Sequence, residues 1–407
     1  MKEDKNRVLV VGGGPVGMVT ALALAMKGVP VTVFERFETL LADPRAATTH
    51  PATLELLARL GMVDQMREHG LVCPTFQFWD RESGTMVAEF DHALLKDETE
   101  FPYVIQCEQF KTAQIAYRKL QRIDCAEVFF QHEVVDVRQE SDGAKVEVLL
   151  PGGAKKWFSG RFVVGADGGR SVVRKSIGIP FDGFTWPECF VVLTTPFDFQ
   201  KVRPYSYRNY FADPHEWCNC FKVAAEGPPG LWRTVFPGHT GLPEETLISD
   251  TAVQERLKRF FQTDADYPVV HRNVYKVHQR VAQTFYQGHV VLAGDAAHVN
   301  NPIGGVGLNS GLQDAVNLAD KLVDICLHQG DHRLLDLYNL QRMTATKEYV
   351  QAQTIQNKKR LEESDPATRQ KNLDQLRATA GDRVRAKEFV MRTSMLTAQR
   401  RIASIGL

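Results

Sequence analysis

Excess charge of either sign is missing from this chain: 49 Lys and Arg balance 49 Asp and Glu over 407 residues. A nucleic-acid or anionic-membrane partner therefore gets no support from bulk charge. The seven cysteines contain no Cys-x-x-Cys redox pair. Cys218 and Cys220, one residue apart, stand too close for a zinc knuckle. Their odd count and scattered spacing read as reduced thiols in a cytoplasmic protein. No His-Glu-x-x-His metal motif and no Gly-x-Ser-x-Gly elbow occurs, which removes the usual signatures of metal-assisted hydrolysis and serine nucleophiles. No bound metal is expected. An apolar stretch from Val8 to Phe34 could pass for a membrane span. Gly12-Gly13-Gly14-Pro15 breaks it and Lys27 interrupts the rest, so it reads as strand, turn, helix and strand. No internal repeat and no low-complexity linker is present.

What remains is ordinary globular usage, 43% hydrophobic and 24% charged, in a chain long enough for two or three packed regions. Arg7–Val11 and Val31–Phe34 read as buried strands flanking an apolar helix, Pro15–Lys27, that Gly28 stops. Phe76–Phe90 reads as a hairpin turning at Gly84. Val128–Val137 and Lys145–Leu150 alternate like antiparallel strands joined through Asp142-Gly143, and Trp157–Val164 reads as one more strand. Between about 184 and 270 aromatics become dense and β-branched residues alternate with polar ones, as in a mostly antiparallel sheet. Beyond Gly330 the pattern is helical and rich in Gln, Lys, Arg and Glu. Phe389, Val390, Met395, Leu396 and Ile402 there could pack on the core or at a dimer contact.

Three glycine-rich segments carry the chemistry. Gly12-Gly13-Gly14-Pro15-Val16-Gly17 is a G-x-G-x-x-G between a strand and a helix. Its glycines allow a tight turn and close approach of a pyrophosphate to the helix start. Glu35, at the end of the next strand, offers a carboxylate to ribose hydroxyls, and Arg36 follows it. Gly165-Ala166-Asp167-Gly168-Gly169-Arg170-Ser171 ends another strand, and Asp167 could equally be a helix cap. Gly294 to Leu318 follows the apolar run Val290–Ala293 and combines Asp295, Pro302, Gly304, Gly305, Gly307, Leu308 and Asn309 before a helical pattern. Glycine lets backbone touch a flat polar ligand, and N–H groups at a helix start suit electron-rich atoms.

In order and spacing, over roughly residues 7–325, the three segments resemble the single-component FAD-dependent aromatic monooxygenases, the family of para-hydroxybenzoate hydroxylase. The resemblance implies a Rossmann-like α/β (α+β) FAD-binding domain with an inserted antiparallel-sheet substrate domain and C-terminal helices. The expected division is 1–75, 100–182 and 272–330 for FAD, 76–99 and 183–271 for substrate, and 331–407 for the helical region. It implies FAD held by Gly12, Gly14, Pro15, Val16, Gly17, Glu35 and Arg36. Arg45 would meet the flavin phosphates. Gln106, backbone at Val134, Asp167 and Asp295 on the ribityl chain would complete that end. Pro302 would lie beside the flavin ring, and Gly304, Gly305, Gly307, Leu308 and Asn309 would offer backbone to its pyrimidine side.

The implied cycle is reduction of FAD by transient NAD(P)H, capture of O2 at ring carbon 4a as a hydroperoxide, and hydroxylation of an activated aromatic ring. A water-poor cavity is needed for this, and the aromatic strands could wall one. His50, Tyr210 and His278 are candidates to assist loss of a phenolic proton. Arg233 could pair with a substrate carboxylate. Each has a structural reading as well: a capping histidine, a core ring, a strand residue, an internal ion pair. Related scaffolds leave other functions open, namely a halogenase or epoxidase, a lipid saturase, or a flavin redox sensor without turnover. The expected partner is a small aromatic molecule, with no nucleic acid and no membrane, and the chain as monomer or homodimer.

Overall fold

The structure, a computed structural model, describes residues 4, 6–42 and 46–406. Its first layer is a six-stranded sheet. From one edge its strands are Tyr286–Gln287, Val290–Leu292, Phe162–Gly165, Val8–Val11, Val31–Phe34 and Ala126–Phe129. Every pairing is parallel except the edge hairpin between Tyr286–Gln287 and Val290–Leu292. All four residues of Val8–Val11 are buried, as expected of a parallel strand covered on both faces. The helix Pro15–Ala25 starts with Pro at a position where no backbone N–H is needed. It packs against the long helix Val306–Leu327 and against Gln109–Leu120.

A three-stranded antiparallel sheet of Glu133–Glu140, Gly143–Leu149 and Lys155–Gly160 stands beside this layer. Two sequence expectations are corrected here. Val128–Val137 is not one strand: Ala126–Phe129 joins the parallel sheet and Glu133–Glu140 the antiparallel one, with Gln131 at φ 56° between them. Trp157–Val164 likewise divides at Arg161, and Phe162–Gly165 pairs with Val8–Val11. Side-chain alternation reports faces and is blind to a change of partner strand.

The second large layer is an eight-stranded sheet. Its order is His298–Val299, His271–Ala282, Phe181–Thr195, Leu231–His239, Cys218–Val223, Arg208–Ala212, Thr75–Asp80 and Thr85–Asp91. The pairing of Arg208–Ala212 with Thr75–Asp80 is parallel, and the other pairings are antiparallel. One face carries Trp232 and Phe236, which pack with Phe199 of the turn after Thr195 and with the helix Asp250–Phe260. The other carries Phe76, Phe190, Tyr210 and Val235 against Ile303, Leu361 and Phe389. The C-terminal helices thus cover the face that looks toward the glycine-rich segments. Among the described residues, no helix is long and apolar enough to cross a membrane.

Candidate active site

The nucleotide end forms where the strand Val8–Val11 turns into its helix. Gly12 has φ 105°, and a Cβ there would lie 2.5 Å from the Ala166 carbonyl oxygen. The first and second glycine-rich segments are therefore in backbone contact, which only glycine permits. Glu35 accepts from Gly13 N at 2.6 Å and from Phe37 N at 3.0 Å. Lone pairs remain on both oxygens. Gly14 caps the helix with no side-chain bond, and nothing lies within 4 Å of a Cβ placed on it. The helix start is an open donor site of the kind that phosphates use.

Asp167 spends one oxygen, Oδ2, on Val172 N at 2.6 Å and Val173 N at 3.2 Å. Its Oδ1 is buried without a partner, and burial raises its pKa. Arg174 bonds Gly169 O and Ala296 O, tying the second segment to the third. Arg36 is exposed, its guanidinium over the Phe37 ring. Val134 points into the core at a register shift in the antiparallel sheet, so only its backbone could meet a ligand. Arg45 lies outside the described residues.

The third segment is the best anchored. Gly294 donates its N–H to buried Asp314 at 3.0 Å, and a Cβ on it would meet the Val16 side chain at 2.8 Å. Asp295 is exposed on this turn while its neighbours on either side are buried. Gly305, at φ 68°, caps the helix Val306–Leu327, and a Cβ there would meet Thr48 at 2.9 Å. Asn309 works through its side chain. Its Oδ1 accepts His50 N at 2.8 Å and its Nδ2 donates to Thr48 O at 2.8 Å. Gln106 accepts the Thr48 hydroxyl at 2.9 Å, while its own Nε2 is buried and unpartnered, as is Thr49 Oγ1. Thr48–His50, Gln106 and Gly304–Asn309 are thus one assembly. Pro302 is exposed beside it, with Gly307 and Leu308 half-buried.

His50 is fully buried, and Nε2 lies 2.9 Å from Gly304 O. A carbonyl can only accept, so Nε2 carries the hydrogen and the unpartnered Nδ1 keeps its lone pair. Burial first, then the charge of Arg208, hold this imidazole neutral. Next to it, between the sheet and the C-terminal helices, lies a cavity of about 20 Å³, lined in part by Phe76, Phe78, Tyr210, Ile303, Leu361 and Phe389. As it stands that is room for one ordered water, so an aromatic ring would enter only with the lining side chains turned to new rotamers. Arg208 and Tyr210, two apart on one strand, share this face, and Arg208 donates to the Tyr210 hydroxyl through Nε at 3.2 Å and Nη2 at 3.0 Å.

Arg233 is buried on the same face, two strands from Arg208, with Phe221 opposite both. His278 is corrected: it is exposed and bonded to Thr185, while Gln279 and Val277 beside it turn inward. Strand alternation puts it on the wrong face. Sequence reasoning missed Arg208, Phe76, Arg360 and Phe389. The two-residue spacing of Arg208 and Tyr210 was the one available signal. The helical lining gave none, because its partners on the strands lie roughly 140 to 320 residues away in the chain.

The residues fit FAD: a backbone cradle closed to any Cβ, an open helix start, and buried orphan groups at Asp167, Gln106 and Thr49. Among the described residues, no acid, His and Cys group could hold a metal ion. Comparison with known proteins agrees. A family model described as an FAD binding domain matches residues 5–353. Para-nitrophenol 4-monooxygenase of Pseudomonas sp. (strain WBC-3) is 33% identical over 98% of both chains. The 6-hydroxy-3-succinoylpyridine 3-monooxygenase of Pseudomonas putida (strain DSM 28022 / S16) is 33% identical over 89% of this chain and 90% of its own. The crystal structure of p-nitrophenol 4-monooxygenase from Pseudomonas putida DLL-E4 superposes with a TM-score of 0.90 at 32% identity, covering 96% of this chain and 97% of the other.

Proposed function

The chain belongs to the FAD-dependent aromatic monooxygenases, and within that family we propose that it hydroxylates a small, single-ring phenol. FAD held in this site would supply the redox chemistry, with NAD(P)H as reductant and O2 as the source of the oxygen atom placed on the ring. The chain's own residues do the rest. Gly12–Gly17, Glu35, Asp167 and Asp295 would hold the cofactor's nucleotide and ribityl parts. Gly304–Asn309, braced by Thr48 and Gln106, would receive its ring system. Phe76, Phe78, Tyr210 and Phe389 wall the substrate in and exclude water, which protects a reactive oxygen species from decay. His50, held neutral, offers its Nδ1 lone pair as a hydrogen-bond acceptor inside this enclosure.

The observation that carries the reading is the pocket itself: close-set rings around one tyrosine hydroxyl, with Ile303 and Gly304 of the third glycine-rich segment as its floor. The similarity to para-nitrophenol 4-monooxygenase along nearly the whole chain supports the same class of substrate. The test is the FAD-loaded protein with NAD(P)H, O2 and a panel of single-ring phenols led by 4-nitrophenol. Cofactor oxidation should accelerate with at least one phenol and yield a product one oxygen richer at the ring, read by mass spectrometry. Acceleration by none of them would refute the proposal.

A further inference from the structure

The substrate wall contains a cation with nothing to neutralise it. Arg208 is 5% exposed, and its Nη1 is buried without a hydrogen-bond partner. Its other two nitrogens go to the Tyr210 hydroxyl, and its guanidinium lies 5.0 Å from the centre of the Phe76 ring. Among the described residues no carboxylate pairs with it. The titratable groups around it come from several elements. Cys73, on the strand Leu71–Cys73, is a neutral thiol because burial pushes it up to about 11. His92, on the turn after Asp91, is neutral because burial and then Arg208 push it down to about 3. His50 is neutral for the same two reasons. Across the cavity the helix Ala352–Glu362 contributes Arg360, a second cation. The acids of the strand Thr85–Asp91 do not help: Glu89 sits opposite Gln77 and bonds it, on the far face from Phe76 and Phe90.

A buried, unpaired guanidinium is costly, and neutral partners do not repay the cost as an anionic oxygen would. The Tyr210 hydroxyl sharpens what fits. Its oxygen receives two hydrogen bonds from Arg208, so its own hydrogen is left to donate elsewhere. The strand therefore offers a guanidinium N–H and a phenolic O–H in one ring-lined cavity, and no acceptor between them. We propose that Arg208 binds the substrate's phenolate oxygen through Nη1, selecting and stabilising the ionised form of the ring that is to be hydroxylated. This rests on the phenol reading above. The step balances simply: the neutral phenol gives up its hydroxyl proton to solvent on binding, and the phenolate stays with Arg208. An ionised ring is the stronger nucleophile, so the residue would activate the substrate as well as hold it.

The experiment uses FAD-loaded protein without NAD(P)H, titrated with 4-nitrophenol at pH values below the ligand's own pKa. The visible phenolate band reports ionisation, and proton release is followed in weak buffer. Wild type should bind phenolate and release one proton per ligand. Arg208→Gln should bind roughly tenfold more weakly or worse, and without ionising the ligand. An R208Q protein with an intact flavin spectrum and unchanged affinity and proton release would overturn the proposal while leaving the phenol reading standing. Should R208Q fail to hold FAD, Arg208→Lys decides: it keeps the charge and loses the fork, and wild-type affinity there overturns the proposal. Nitrobenzene, which lacks the hydroxyl, should bind wild type and variant alike. A loss confined to R208Q would assign the guanidinium to the nitro group instead. If wild type binds no phenol at all, the phenol reading falls and takes this proposal with it.

Discussion

Replacing Asp314 by Asn should unfasten the flavin-facing turn and much of the fold with it. Asp314 is 0% exposed on the helix Val306–Leu327. Its Oδ1 accepts Arg342 Nε at 2.5 Å, and its Oδ2 accepts His298 Nε2 at 2.8 Å and Gly294 N at 3.0 Å. One carboxylate thus joins two helices, a sheet-edge strand and the turn bearing Asp295. Asn keeps the shape but has one oxygen, and its NH2 must face a donor whichever way it turns. Arg342, 1% exposed, is then a buried cation without its counter-ion. Breaking a buried pair by removing one partner costs about 3–5 kcal/mol. Urea unfolding of the FAD-loaded protein should show that loss, and FAD affinity should fall because Gly294 loses its anchor.

The pH dependence of this effect has a definite sign. Burial alone would raise the pKa of Asp314, yet Arg342 and then His298 hold it below the ordinary carboxylate value. A depressed folded pKa means stability that is complete above the unfolded value of about 3.9 and is lost as pH falls through the folded one. The gap between wild type and D314N should therefore be full at neutral pH and shrink only in strong acid. Adding Arg342→Met removes the stranded charge, so D314N/R342M should lose less than the two single variants together. A D314N loss under about 1 kcal/mol at pH 7 would refute this account.

Gly12→Ala should abolish FAD binding, since its Cβ would press on the Ala166 carbonyl at 2.5 Å from a backbone held at φ 105°. A yellow, fully loaded G12A protein would contradict the cradle. Phe389→Ala should cost about 3–5 kcal/mol, because the ring stacks on Phe90 at 4.4 Å between centroids. The same variant would enlarge the proposed substrate cavity, so the KM for bulkier phenols should fall relative to that for small ones. An unchanged ranking across the phenol panel would remove Phe389 from the substrate wall.

The two halves of this site were unequally legible in the sequence, and their contacts explain why. The cofactor end is made of backbone against backbone. A Cβ at Gly17 would lie 1.9 Å from Gly12 O, and one at Gly12 would strike Ala166 O. Neither atom can yield without moving a strand, so the chain carries short glycine-rich segments at fixed spacing, and those can be read directly. Asn309 shows the boundary of that reading. Its place in the segment was evident, but its bonds to His50 and Thr48 join positions more than 250 residues apart, which no local pattern records. The proposed substrate end is made of side chain against side chain, drawn from strands near residues 76, 208 and 233 and from helices beyond 350. Such a wall can change one ring at a time at a cost of side-chain repacking. Two relatives, each 33% identical to this chain, illustrate the consequence, one named for a nitrophenol and the other for a substituted pyridine. Arg208 is the exception that a structure exposes. As text it is one of many basic residues, and only its burial among rings and neutral groups marks it as a charge awaiting a partner. If Arg208 binds the phenolate as proposed, the group that this wall leaves unsatisfied is what selects the substrate.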